Sequence, residues 1–303
     1  MKSRTVIALV AAAAVVVAGA AVAGWWMLRP PTLHDAAEQY LGALESGDIG
    51  TLDAMMAGAS LSAEERTTID DAYAGASARI TASRIESIRD DGSVRATARL
   101  TGKRVTVWFI LSREGRAYHL NGDFLGALTV QPRIGDAVRV GRATVAAGAQ
   151  TLLLPAEYPV TALPADVLTG TARITVTNEK PVTADLDVAL AAGATDAVQK
   201  PLTAYEDRCA ASTTTVPAHC GLRVPWAADL RTLSSLDFRI DRRPALALAP
   251  DGTSFAATDG EITATARGED WDGASRTVVY RADDWALRGR VVFDGATVSL
   301  HVD

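Results

Sequence analysis

Cysteine, histidine and lysine are scarce in this chain. Its 303 residues include two cysteines, Cys209 and Cys220, four histidines, and four lysines at positions 2, 103, 180 and 200. A metal site built on Cys209, His219 and Cys220 lacks a fourth ligand, and two ligands adjacent in sequence close a tetrahedron poorly. No cysteine lies near the amino end, which excludes a lipid anchor on a cysteine there. The sequence contains no G-x-S-x-G, H-E-x-x-H, Walker loop, G-x-G-x-x-G or S-x-x-K, so the common nucleophile, metalloprotease and nucleotide signatures are missing. Base is short as well. Setting aside Lys2, Arg4 and Arg29 leaves 27 basic residues against 36 acidic ones, a net charge near −9. That balance argues against nucleic acid and anionic lipid headgroups as partners.

One long uncharged run is present, at residues 5–28. At about 1.5 Å of helical rise per residue, roughly 20 apolar residues span a bilayer core. Lys2 and Arg4 precede the run and Trp25 and Trp26 lie near its far end, the order expected for a single-pass anchor with its carboxyl-terminal body outside the cytoplasm. The alternative is a signal peptide cleaved after Ala21-Val22-Ala23, giving a secreted body. In either case the two cysteines reach an oxidising compartment and are expected to bond to each other. Abundant alanine and an arginine excess over lysine point by association to a high-GC bacterial source.

Beyond the run, the spacing predicts three helices over residues 32–75. Thr32 with Asp35 and Ser62 with Glu65 are capping boxes, and Asp48 caps the middle helix. From residue 78 to about 130 the period falls to two. Val94, Ala96, Ala98 and Leu100 form one inward series, and Val105, Val107, Phe109 and Leu111 another. Asp91-Gly92 is a hairpin turn, a bulge is expected near Arg84, and the strand carrying Trp108 is expected to be central.

The segment His34-Asp35-Ala36-Ala37-Glu38-Gln39-Tyr40-Leu41-Gly42-Ala43-Leu44-Glu45-Ser46-Gly47-Asp48, with the strands that end in Trp108-Phe109-Ile110-Leu111, resembles nuclear transport factor 2-like domains. The resemblance covers roughly residues 33–130. It implies a curved antiparallel sheet wrapped around helices to make a cone with a pocket. That fold hosts isomerases, dehydratases, carriers and inert modules, so fold alone assigns no activity.

A second region is expected from residue 131 onward. Residues 138–145, 150–154, 172–177 and 182–190 read as strands. Residues 200–211 read as a helix with Pro201 in its first turn and Val198, Leu202, Tyr205 and Cys209 as its buried stripe. In the last 60 residues Asp251-Gly252, Asp259-Gly260, Asp272-Gly273 and Asp294-Gly295 read as hairpin turns. The acidic run around Trp271 lacks the ligands of a calcium loop, since Gly268 and Val279 stand where acids are required.

The fold class expected from sequence is therefore α+β. It comprises a transmembrane helix (1–29), a three-helix cone domain (30–130) and a mainly β domain with one disulfide-linked helix (131–303). The candidate pocket lining is Tyr40, Trp108, Tyr118, His119 and Asp123, with His119 and Asp123 the one pair able to act as acid and base. Three functions follow. The first is a membrane-tethered extracytoplasmic scaffold without catalysis, cofactor or metal, whose partners are the membrane and an envelope protein. The second is a carrier or sensor of a small apolar ligand, and the third an isomerase- or hydrolase-like enzyme.

Overall fold

The computed structural model describes residues 31–303. Its helices begin where side chains can satisfy the first free amides. Helix α1 (Leu33–Ser46) is closed by the reciprocal Thr32–Asp35 box, with Asp35 N donating to Thr32 Oγ1 at 3.2 Å and Thr32 N to Asp35 Oδ2 at 2.8 Å. Helix α2 (Ile49–Met56) starts at Asp48, whose carboxylate accepts from Thr51 N. Helix α3 (Ala63–Ala74) has the matching Ser62–Glu65 box. The hydrogen bonds these caps accept hold the Asp48 and Glu65 carboxyls below their ordinary values. A two-residue strand, β1 (Ala78–Arg79), follows.

The chain divides into two compact units that alternate along the sequence. The first holds residues 31–60 and 80–124, and the second residues 61–79 and 125–303. In the first unit, β2 (Thr81–Ile88), β3 (Ser93–Leu100), β4 (Lys103–Glu114) and β5 (Ala117–Asn121) form one antiparallel sheet in that order. The strand carrying Trp108 is thus an interior one. Register shifts flank Arg84 on β2, where Ala82 takes a φ of 50°. Val94, Ala96, Ala98 and Leu100 are buried, as are Val107, Phe109 and Leu111. The helix side supplies Ala37, Tyr40, Leu41 and Leu44. Tyr40 meets Phe109 edge-on with centroids 4.6 Å apart. Full burial of two such rings contributes about 2–3 kcal/mol each.

Helix α3 belongs to the second unit, which corrects the expected three-helix cone. Its buried face is Ile69, Ala72 and Tyr73. Asp71 O accepts from Arg142 N at 3.2 Å. Gly141, at φ 60°, lies so close to the helix that an added Cβ would fall 2.1 Å from Ala72 O. The helical signal was local and correct, but nothing local says which sheet a helix covers.

The second unit continues with β6 (Gly126–Pro132), β7 (Ala137–Val140), β8 (Ala143–Ala146), β9 (Gln150–Leu153) and β10 (Ala156–Ala162). Next come β11 (Leu168–Thr169), β12 (Thr171–Val176), β13 (Val182–Leu186) and β14 (Ala189–Leu190). The turn at Gly141 breaks the expected strand 138–145 into the β7–β8 hairpin, and 182–190 is likewise two strands. Strand β10 pairs β1, β7 and β12, while β6 lies between β9 and a parallel β13.

Helix α4 (Ala194–Cys209) begins earlier than residue 200 and carries Pro201 in its interior. Val198, Leu202 and Cys209 are buried on one side. The chain ends in a large antiparallel sheet of β15 (Thr232–Arg242), β16 (Ala245–Leu248), β17 (Ser254–Glu269), β18 (Ser275–Asp294) and β19 (Thr297–Val302). Asp272-Gly273 is the β17–β18 turn. Asp259-Gly260, expected as a turn, is instead a bulge inside β17, with Asp259 at φ 62°.

Strand makes up 49% and helix 19% of the described residues. The class is mainly β, and α+β is set aside. Among the described residues no helix is long and apolar enough to cross a membrane. The expected transmembrane helix falls on residues 5–28, outside the described residues, so the structure gives it no support.

Candidate functional site

The sequence-derived pocket residues all lie in the first unit, in different surroundings. Tyr40 is fully buried against Phe109 in the core. Trp108, one step along β4 from Phe109, turns to the other face of the sheet, because successive strand side chains alternate. There it lines a shallow groove of about 270 Å³ with Ser87, Arg89, Ser93, Arg95 and Ile110. Tyr118 and His119, on β5, line a separate groove of about 420 Å³ with Gln39 of α1, Thr51 and Met55 of α2, and Arg116. Asp123 is exposed on the turn after β5. The five residues thus do not share one enclosed cavity.

His119 is the most constrained of them. Its side chain is 22% exposed, and Nε2 lies 3.9 Å from a carboxylate oxygen of the exposed Glu114. The Nδ1 atom is buried and has no hydrogen-bond partner among the described residues. Gly58 backs the ring, since a Cβ there would come within 2.9 Å of His119 Cβ. A general base needs a positioned proton acceptor and a partner that orients it. The contact with Glu114 is too long to be a hydrogen bond, so the groove has a polar lining without an aligned acid–base pair. Among the described residues no group of three or more His, Cys, Asp or Glu is placed to hold a metal ion.

The perturbed ionisable groups are elsewhere. Glu206 of α4 is wholly buried, and its Oε2 accepts from Arg243 at 2.7 Å. Burial raises its carboxyl above the usual range, against the opposing pull of Arg243. Arg243 also donates to Asp207 at 2.6 Å. Burial and a hydrogen bond to Asp229 push the Tyr280 phenol up to about 12. Asp237 and Asp241 are held low, the first by Ser212 and Arg267 and the second by Thr263 and Arg239. Each of these groups ties one element to another, and none lines the His119 groove.

Cys209 and Cys220 are joined by a disulfide with Cα atoms 5.6 Å apart, as expected from sequence. The bridge closes the loop from the end of α4 back onto the large sheet, where Cys220 O accepts the Trp285 indole N–H at 2.8 Å. Tyr205 Oη donates to His219 O at 2.7 Å.

The turn at Asp272-Gly273 was expected from sequence; what sequence reasoning passed over is the indole displayed at that tip of the β17–β18 hairpin. Trp271 is 67% exposed, the largest value among the exposed large hydrophobic residues described. Asp270 Oδ1 accepts from Asp272 N at 3.0 Å and from Ala274 N at 2.9 Å, and Gly273 takes φ 82°, so the turn that displays the indole is fixed. The signal was available: the turn Asp270-Trp271-Asp272-Gly273 places an aromatic where no core can reach it. No family model, curated protein or solved structure matches this chain.

Proposed function

We propose that this chain is an extracytoplasmic interaction module of a bacterial envelope, acting by binding another protein and not by catalysis. The observation that carries the reading is Trp271, held out to solvent at the tip of a hydrogen-bonded hairpin turn. Leaving an indole in water forgoes burial worth roughly 2–3 kcal/mol, and tryptophan is enriched among the residues that dominate protein interfaces. The disulfide supports an oxidising compartment. Residues 5–28 support export, whether they stay as a tether or are removed as a leader. The test is a photo-crosslinking residue at position 271 of the full chain in living cells. The reading expects a discrete adduct with one envelope protein that is absent when the probe sits at the exposed turn residue Glu179. No adduct at 271, or the same adducts from both positions, would overturn it.

A second reading, a small-ligand carrier, is favoured by one observation: the buried, unpartnered Nδ1 of His119 at the edge of the 420 Å³ groove. A ligand there would present a hydrogen-bonding group to the imidazole. Loss of its binding in His119→Ala, with the fold unchanged, is the expected result.

A further inference from the structure

The large sheet of the second unit treats its two edges differently. The β15 edge is covered at its middle. Thr213, in the loop closed by the disulfide, pairs with Leu236 through N–H···O bonds of 3.0 and 2.7 Å, and Ser212 reaches Asp237. At the opposite edge β19 pairs only residues 289–294 of β18. Cys220 and Gly221 pack beside Trp285 and Ala286. Residues 275–284 of β18 have β17 on one side and, among the described residues, no strand on the other.

The ladder determines which groups this open edge presents. Asp270 N donates to Ala274 O at 2.9 Å, which places the next hydrogen-bonded pair at Gly268 and Arg276. Glu269 O accepts from Arg231 N at 2.8 Å on the β15 side, in agreement. By alternation, Ser275, Thr277, Val279 and Arg281 turn their N–H and C=O groups to the open edge. Their side chains are all exposed, and Val279 is 61% exposed in the middle of the row. A bare run of strand backbone bearing an exposed β-branched residue is a template for another strand.

The charges select the occupant. Arg276 stands near one end of the run and Asp283 and Asp284 at the other. A second copy laid antiparallel brings the basic end of each segment to the acidic end of its partner. A parallel copy would set Arg276 against Arg276 and Arg281 against Arg281, which is destabilising.

We infer that two copies of this chain pair edge to edge through β18, about a two-fold axis at Val279. Val279 then faces its own copy, Thr277 faces Arg281 of the partner subunit, and Ser275 faces Asp283 of the partner subunit. The central three pairs form about six backbone hydrogen bonds, and the sheets of the two copies become continuous. This inference does not depend on the role given to Trp271.

The test uses Val279→Cys in the full chain, in intact cells, read on non-reducing gels. Hydrogen-bonded antiparallel partners have Cα atoms about 5.5 Å apart, within the reach of a disulfide. The expected result is a covalent dimer whose linked peptides both contain residue 279. Val292→Cys, on the same strand but opposite β19, should give none. Adding Thr277→Pro should abolish the dimer, because that N–H points away from β17 and its loss spares the ladder within the chain. A thermal melt of the double variant matching that of Val279→Cys shows that the fold survives. If Thr277→Pro unfolds the chain, Thr277→Arg, which sets like charges against Arg281 of the partner subunit, replaces it. A monomer, equal dimer from both cysteine positions, or an adduct with a different protein overturns the inference.

Discussion

Arg243 bonds to Glu206 at 2.7 Å across a steep change of environment: the carboxylate is fully buried, while the guanidinium is 42% exposed. The pair clips α4 to the segment between β15 and β16. Removing the arginine would leave a carboxylate in the interior with its solvation lost and its counter-charge gone. For the buried partner of a broken pair this costs about 3–5 kcal/mol. Because Arg243 is half in water, Arg243→Ala should fall at the lower end.

The cost should depend on pH, with a definite sign. Burial already raises the Glu206 carboxyl, so the folded chain holds that proton to higher pH than the unfolded chain does. The contribution of this group to stability is therefore lost as pH rises from the ordinary carboxylate range through the folded value. Without Arg243 the shift grows, so Arg243→Ala should be more damaging near pH 7 than near pH 5. Urea unfolding at the two pH values measures the difference. Equal loss at both would mean that Glu206 is not the group left stranded.

Cys209→Ser should destabilise the second unit by about 3 kcal/mol, on the loop-entropy estimate. It should also loosen the cover that Thr213 places over β15. Amide exchange at Leu236 is the specific readout, and it should rise beyond what the change in global stability accounts for.

Tyr40→Ala and His119→Ala should separate core from groove. Truncating the fully buried Tyr40 should cost about 3–5 kcal/mol, whereas His119→Ala, at a groove wall, should stay within about 1 kcal/mol. Asp123→Ala should be equally mild, and neither should abolish a reaction. Gly58→Ala, which presses on His119 Cβ, should cost about 1–3 kcal/mol by overpacking. Denaturant midpoints of the four variants test the ordering.

A polypeptide of residues 125–303 lacks α3 and β1, and so lacks Ile69, Ala72 and Tyr73 of its own core. It should bind a hydrophobic dye and melt early. A peptide of residues 61–79 added in trans should suppress the dye signal. A stable, dye-free polypeptide 125–303 would contradict the role assigned to α3.

What could be read from sequence was what neighbours along the chain decide. The Thr32–Asp35 and Ser62–Glu65 boxes place helix starts within one turn, and Val94 to Leu100 declare their inward face by alternation. The disulfide followed from the count of two cysteines and the oxidising compartment expected from residues 5–28. What could not be read was decided by residues far apart. Helix α3 is amphipathic wherever it packs, and only Gly141 and Arg142 show that it lies on the second unit. Asp259-Gly260 carries turn chemistry, yet pairing on both sides of β17 converts the turn into a bulge. Pro201 suits a helix start, but Leu202 and Cys209 together with Ala194 and Val198 make a longer buried stripe, and packing outweighs the lost amide. The candidate pocket failed to assemble for a similar reason: Trp108 and Phe109 are adjacent on one strand and so face opposite ways.

The alternation of the two units along the chain sets an order of events as the chain is made. A polypeptide emerging from its amino end can complete the first unit once residue 124 is out. Helix α3 emerges earlier, but the strands β8, β9 and β10 that it covers end only at Ala162. Until then Ile69 and Tyr73 have no surface to cover, and the helix waits as an exposed apolar stripe between two halves of a finished neighbour. Packing of α3 is therefore timed by the emergence of residues 125–162, and a pause within that interval is where this chain is most open to proteases and to helper proteins.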